Sequence, residues 1–311
     1  MNLKANRLAP FNPKKASFGR HETFPLRFSW LTKGFQALLE QPDIFLREDA
    51  TVALGVGKNM VLSIRYWMIA SGITTPDGTP TEIGHAIFSE GGWDPYLEDE
   101  ATIWLIHWLL ASNPSCATSI YWFFNHFHKP QFSSIEVSSG LKDFVKEKLE
   151  VRAATNTLKH DVTLLLRMYV RSTGNKRVPL EDALDSPLSM LDLVKRMDEG
   201  KSFESKPEER WPLPLGVLGV AIAEVFELNK QSSIPMEVIL RGDDSLPGVG
   251  STFRLSEDCL ITKLEELIAW MPGCYELRET AGINQLYKLK AMSPMSFLEA
   301  HYSQQTIGLA A

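Results

Sequence analysis

Paired cysteines are missing from this sequence. Its three, Cys116, Cys259 and Cys274, stand far apart with no Cys-x-x-Cys among them, which speaks against a disulfide framework or a zinc knuckle and leaves three ordinary thiols. Long apolar runs are missing too. No stretch reaches the roughly 18 uninterrupted apolar residues that a membrane-spanning helix needs, and Met1 to Phe11 holds no apolar segment of the signal-peptide kind. The expectation is a cytoplasmic protein with no membrane contact. Nor is there a P-loop, a G-x-G-x-x-G, an H-E-x-x-H or a G-x-S-x-G, so nucleotide binding, zinc proteolysis and serine hydrolysis have no signature, and no cofactor is evident.

An overall excess of positive charge is also lacking: the formal net charge is -6, which argues against a uniformly basic nucleic-acid binder. The total conceals a division. The balance is +5 over residues 1–75, -7 over 76–140, +5 over 141–180 and -9 over 181–311. Two basic blocks therefore alternate with acidic ones.

What is present is globular: 311 residues, 44% hydrophobic and 23% charged, enough for two or three cores. The pattern predicts a mainly α protein with small β-hairpins, organised as multiple winged-helix or helix-turn-helix-like modules. Residues 1–16, with Lys4, Arg7, Lys14 and Lys15 around Pro10 and Pro13, read as an N-terminal arm. In 17–100, a helix from Trp30, a short helix at 47–54, a glycine turn at 55–59 and a helix to Ala70 have helix-turn-helix order. Asp77-Gly78 then suggests a hairpin that would be the wing. In 101–200, an aromatic core from Trp104 to Phe127 precedes a lysine-rich helix at 141–149 and another at 155–169. In 201–311, helices at 215–228 and 257–270 precede a hairpin around Ala281-Gly282. The last of those helices carries Glu257, Asp258, Glu265 and Glu266, which phosphates would repel, so this module is assigned to protein contacts.

Reading DNA requires cations for phosphates and short polar side chains that reach base edges from a helix. Two helices qualify. The first offers Lys58, Asn59, Ser63 and Arg65, although Met60, Val61, Leu62, Ile64, Trp67 and Met68 make it apolar on nearly all sides, as a core helix would be. On a helical wheel of the second, Leu158, Val162, Leu165 and Tyr169 share one face, while Asn156, Lys159, His160, Thr163 and Arg167 line another. The bland reading of that second stripe is a solvated surface. Asp161 points elsewhere.

Catalytic candidates are few. His126 and His128 sit among aromatics and read as packing or solvent-facing residues; Asp243 and Asp244 read as a loop. The dense polar cluster is Arg20, His21, Glu22 and Arg27, in a stretch without periodicity. Such density on a loop marks a candidate catalytic set, or an ion pair anchoring the arm.

The opening Phe18-Gly-Arg-His-Glu-Thr-Phe-Pro-Leu-Arg27, with Leu158-Lys-His-Asp-Val-Thr-Leu-Leu165-Leu166 and Tyr169 further on, resembles a bacterial family originally classed as a domain of unknown function. The similarity spans most of the chain. The resemblance implies association with DNA phosphorothioation and phage-defence systems, in which a cysteine desulfurase, an ATPase and a phosphosulfate-reductase-like sulfurtransferase replace a backbone oxygen by sulfur. The corresponding component of Ssp-type systems nicks DNA, which would call for a divalent metal such as Mg. No nuclease motif in this sequence matches that activity, and no metal ligands are assigned. Three readings follow: a DNA-binding component that nicks, a winged-helix scaffold for the sulfur-transfer proteins, and a transcriptional regulator of the cluster.

Overall fold

The computed structural model describes residues 8–172, 186–197, 202–280 and 283–309. The fold is mainly helical with two small antiparallel three-stranded sheets. It divides into two compact units, Asn12–Lys206 and a second made of Met1–Phe11 with Pro207–Ala311. The segments 17–100 and 101–200, read above as separate modules, thus fall within one unit.

The first unit opens with α1 (Phe28–Glu40), α2 (Ala50–Leu54) and α3 (Lys58–Ala70). Gly55, in the left-handed conformation at φ 60°, closes α2, and Gly57 starts α3. Leu31, Phe35 and Leu38 recur at helical spacing and are buried, so α1 packs its apolar stripe against α3. The Asp77-Gly78 turn forms as expected, with Thr75 N–H donating to Thr79 O at 2.9 Å. The hairpin is only one bridge, Thr74 to Pro80, so no stranded wing follows α3. Thr81 then caps α4 (Glu82–Phe88), its side chain accepting from Gly84 N–H.

At the centre lies α5 (Glu100–Ala111), capped by Asp99 and buried at every position from Ala101 to Ala111. A helix that is apolar all round must be covered all round. Among its covers is α6 (Thr118–Asn125), whose Phe123 and Phe124 are fully enclosed. The imidazole of this helix, His107, makes a 2.9 Å hydrogen bond between Nδ1 and the Tyr169 hydroxyl. Of the aromatic segment predicted as the main core, Trp104, Trp108, Tyr121, Trp122 and Phe124 are buried in this unit and Phe127 is half-buried.

Strand β1 (Gln131–Phe132) leads into α7 (Ser134–Lys148), which begins with a full capping box between Ser133 and Glu136. Helix α8 (Thr155–Tyr169) follows, then β2 (Lys195–Arg196) and β3 (Phe203–Glu204). These strands form a sheet in the order β1-β3-β2, with Phe132 opposite Phe203 and Lys195 opposite Glu204.

The second unit has the same pattern of strand order with, among the described residues, one more α-helix between its first strand and its hairpin. Helix α9 (Leu215–Asn229) is followed by β4 (Ser233–Pro235), α10 (Met236–Arg241), α11 (Val249–Phe253) and α12 (Glu257–Trp270). Strands β5 (Tyr275–Thr280) and β6 (Ile283–Lys288) make the hairpin expected around residues 281–282, and the sheet order is β4-β6-β5. A last helix, α13 (Pro294–Leu309), lies against α9. Gly219 permits that approach: a Cβ there would lie 2.3 Å from the Phe297 ring. The Asp243-Asp244 loop is a turn, in which Asp243 Oδ1 accepts from the N–H groups of Ser245 and Leu246.

Candidate nucleic-acid interface

Helix α8 separates its side chains by radial position. Leu158, Val162, Leu165 and Tyr169 are buried, as the wheel requires, while Asn156, Lys159, His160, Thr163 and Arg167 are all exposed. One helix therefore presents two cations and three short polar groups along one outer stripe. Thr163 donates its hydroxyl proton to Lys159 O at 2.9 Å, so towards solvent it offers a methyl group and acceptor lone pairs. Lys195 and Arg196 on β2 are exposed as well, with the Arg196 guanidinium 5.4 Å from the Phe203 ring centre.

The inner side of α8 carries the fifteen-residue helix's one acidic group, Asp161, and it is buried. Its Oδ1 accepts from Gly19 N–H at 3.0 Å and bonds His21 Nε2 at 2.9 Å; its Oδ2 accepts from the Ser119 hydroxyl at 2.7 Å. Because His21 Nδ1 accepts from Thr23 N–H at 3.1 Å, the ring proton sits on Nε2 and points at the carboxylate. Gly19 takes φ +71°, and a Cβ there would stand 2.8 Å from Thr157 on α8, so the opening segment lies close against that helix. Burial pushes the Tyr66 phenol, beside this node, far above its usual range, with the Asp161 charge adding to the effect. The residual cavity lined by Ser17, His21, Ser119 and Asp161 is about 10 Å³, the size of a single water.

This geometry corrects the catalytic assignment of Arg20, His21, Glu22 and Arg27. The His21 side chain is 5% exposed and both ring nitrogens are committed, so it cannot take a proton from a water on a DNA strand. Arg20 is exposed, Glu22 is half-buried at φ 49°, and Arg27 lies over the Trp30 ring at 5.4 Å. The cluster is an anchor turned inward with a cation left outside, not a converging set. Ser63 is also corrected. It is fully buried and donates to His21 O at 3.0 Å, so it cannot reach a base edge. Lys58 and Asn59 are exposed at the start of α3, and Arg65 is half-buried. Two exposed cations outside the set read from the sequence, Lys195 and Arg196, lie on a two-residue strand with no periodicity to mark it.

The profile of a family described as a protein of unknown function, DUF4007, matches residues 18–302. The chain is a member of the DUF4007 family. Comparison with curated proteins gives no match. Among solved structures, this DUF4007 chain is similar to an SspB crystal structure, with 27% identity, 94% of this chain and 89% of the other covered, and a TM-score of 0.80. A magnesium ion-bound SspB crystal structure gives 27% identity, 97% and 90% coverage and the same TM-score. In this chain, no three His, Cys, Asp or Glu side chains among the described residues are grouped so as to hold a metal ion. No helix among them is long and apolar enough to cross a membrane.

Proposed function

We propose that this protein binds duplex DNA through the outer stripe of α8, as a component of a DNA phosphorothioation system. The observation that carries the reading is the arrangement around that stripe. Among the described residues, α6, β1, α7 and α8 come before β2 and β3, with sheet order β1-β3-β2, and this supports reading α8 as the recognition helix of a winged-helix-like module. The DUF4007 membership and the likeness to SspB support the phosphorothioation context.

In this reading the stripe enters the major groove by its N-terminal half. Asn156 can pair bidentately with adenine, and His160 and the acceptor face of Thr163 meet neighbouring base edges. Lys159, Arg167 and the β2 cations Lys195 and Arg196 neutralise phosphates, with Lys58 and Asn59 on α3 as a further contact. Partners in such a system would be the desulfurase, the ATPase and the sulfurtransferase.

The test is a salt series of duplex binding by fluorescence anisotropy. Lys159→Ala with Arg167→Ala lowers the slope of log K against log salt by about 2, because each neutralised phosphate contributes about 0.9. Asn156→Ala instead relaxes base preference and leaves the slope unchanged. Unaltered binding by both variants would remove α8 from the interface.

A further inference from the structure

The second unit has the same sheet order as the first, and the helix that precedes its hairpin, α12, has the opposite electrostatic character to α8. On α12 the exposed charged side chains are Glu257, Asp258, Glu265 and Glu266. Its one cation, Lys263, is drawn inward, where the ammonium donates to Trp211 O at 3.1 Å and pairs with Glu266 at 3.4 Å. The chain at 208–211 runs beside this helix. Ser256 N–H donates to Glu208 O, and Arg210 N–H to Cys259 Sγ.

This segment ends in a presented aromatic. Trp211 is 53% exposed, followed by the exposed Pro212. Its indole N–H donates to Glu209 Oε2 at 3.0 Å, and Lys263 Nζ lies 5.9 Å from its ring centre. A tryptophan oriented by two polar contacts loses little freedom on binding, and tryptophan is the residue that most often anchors an interface. Carboxylates lie on either side of it, Glu209 at its edge and Glu266 beyond Lys263.

We propose that Trp211 with the acidic face of α12 is a docking surface for an arginine- and lysine-bearing segment of a partner protein. Charge complementarity selects the occupant. Phosphate groups would be repelled by the exposed carboxylates, whereas a guanidinium can stack on an indole while its N–H fork reaches carboxylate oxygens. The surface belongs to the second unit, shares no residue with α8, and stands whether or not α8 binds DNA.

The probe is a short labelled arginine-rich peptide, with a glutamine-for-arginine peptide as control, titrated against the full chain by anisotropy. The arginine peptide binds and the control does not. Trp211→Ala weakens binding about tenfold, the usual effect of losing an aromatic anchor. Trp211→Phe keeps most of it. Glu209→Gln with Glu265→Gln weakens it several-fold while preserving side-chain shape and the acceptor for the indole, so loss of folding is not at issue. Duplex DNA binding, run in parallel, is unchanged in all of these variants. No peptide binding, equal binding by Trp211→Ala and the glutamine variant, or abolished DNA binding in Trp211→Ala would each overturn the assignment.

Discussion

Asp161 serves three donors from one buried carboxylate: a backbone N–H, an imidazole N–H and a hydroxyl. Replacing it by alanine leaves all three without an acceptor in a space that admits about one water, so Asp161→Ala should cost about 2–4 kcal/mol of unfolding free energy, measured by urea denaturation. Ser119→Ala removes one donor and should cost no more than about 1.5 kcal/mol. Glu136 supplies a pH prediction. Hydrogen bonds from Lys129 and from the Ser133 backbone and hydroxyl pull its carboxyl from 4.5 down to about 2. A depressed carboxylate stabilises the fold fully above its unfolded value and loses that contribution as pH falls through the folded one. The melting-temperature difference between wild type and Glu136→Gln should therefore be constant above about pH 5 and vanish near pH 2.

At the scale of elements, some helices are legible in the sequence; α10, α11, α13 and the strands of the first unit are not, and the helix read at 141–149 begins earlier, at Ser134. The spans 58–70, 155–169 and 257–270 follow from apolar period and from terminators such as Gly57 and the Ser256 cap. The outward stripe of α8 can be read residue by residue because Leu158, Val162, Leu165 and Tyr169 mark the opposite face as apolar. Helix α3 cannot be divided in this way, since it is apolar on most sides. Nothing local to Ser63 marks it as covered; the 21–24 segment covers it, with Ser63 donating to His21 O. The wheel sets Asp161 apart from the polar stripe but cannot identify its partner, because that partner is distant in sequence. Strands β1, β2 and β3, at two residues each, are too short for any alternation to register. Cap chemistry gives the prediction at this scale: Ser133→Ala should destabilise by about 1 kcal/mol, read from a shift in the urea midpoint with unchanged slope.

For the whole molecule, charges of opposite sign are displayed on different helices. The net charge of -6 hides cations on α8 and β2 of the first unit and carboxylates on α12 of the second. Neutralising Glu257 and Asp258 should leave the salt slope of DNA binding as in wild type, whereas alanine at Lys195 and Arg196 should lower it by about 1 for each phosphate no longer neutralised, in the same anisotropy titration. The His21–Asp161 pair joins residues 140 positions apart, which matters while the chain is still being made. The Phe18–Arg27 strip leaves the ribosome long before the carboxylate that will hold it, and closing so wide a loop is slow. Until α8 emerges, the nascent chain carries a histidine and a serine destined for burial with no acid to receive them, and its earliest residues are among the last to settle.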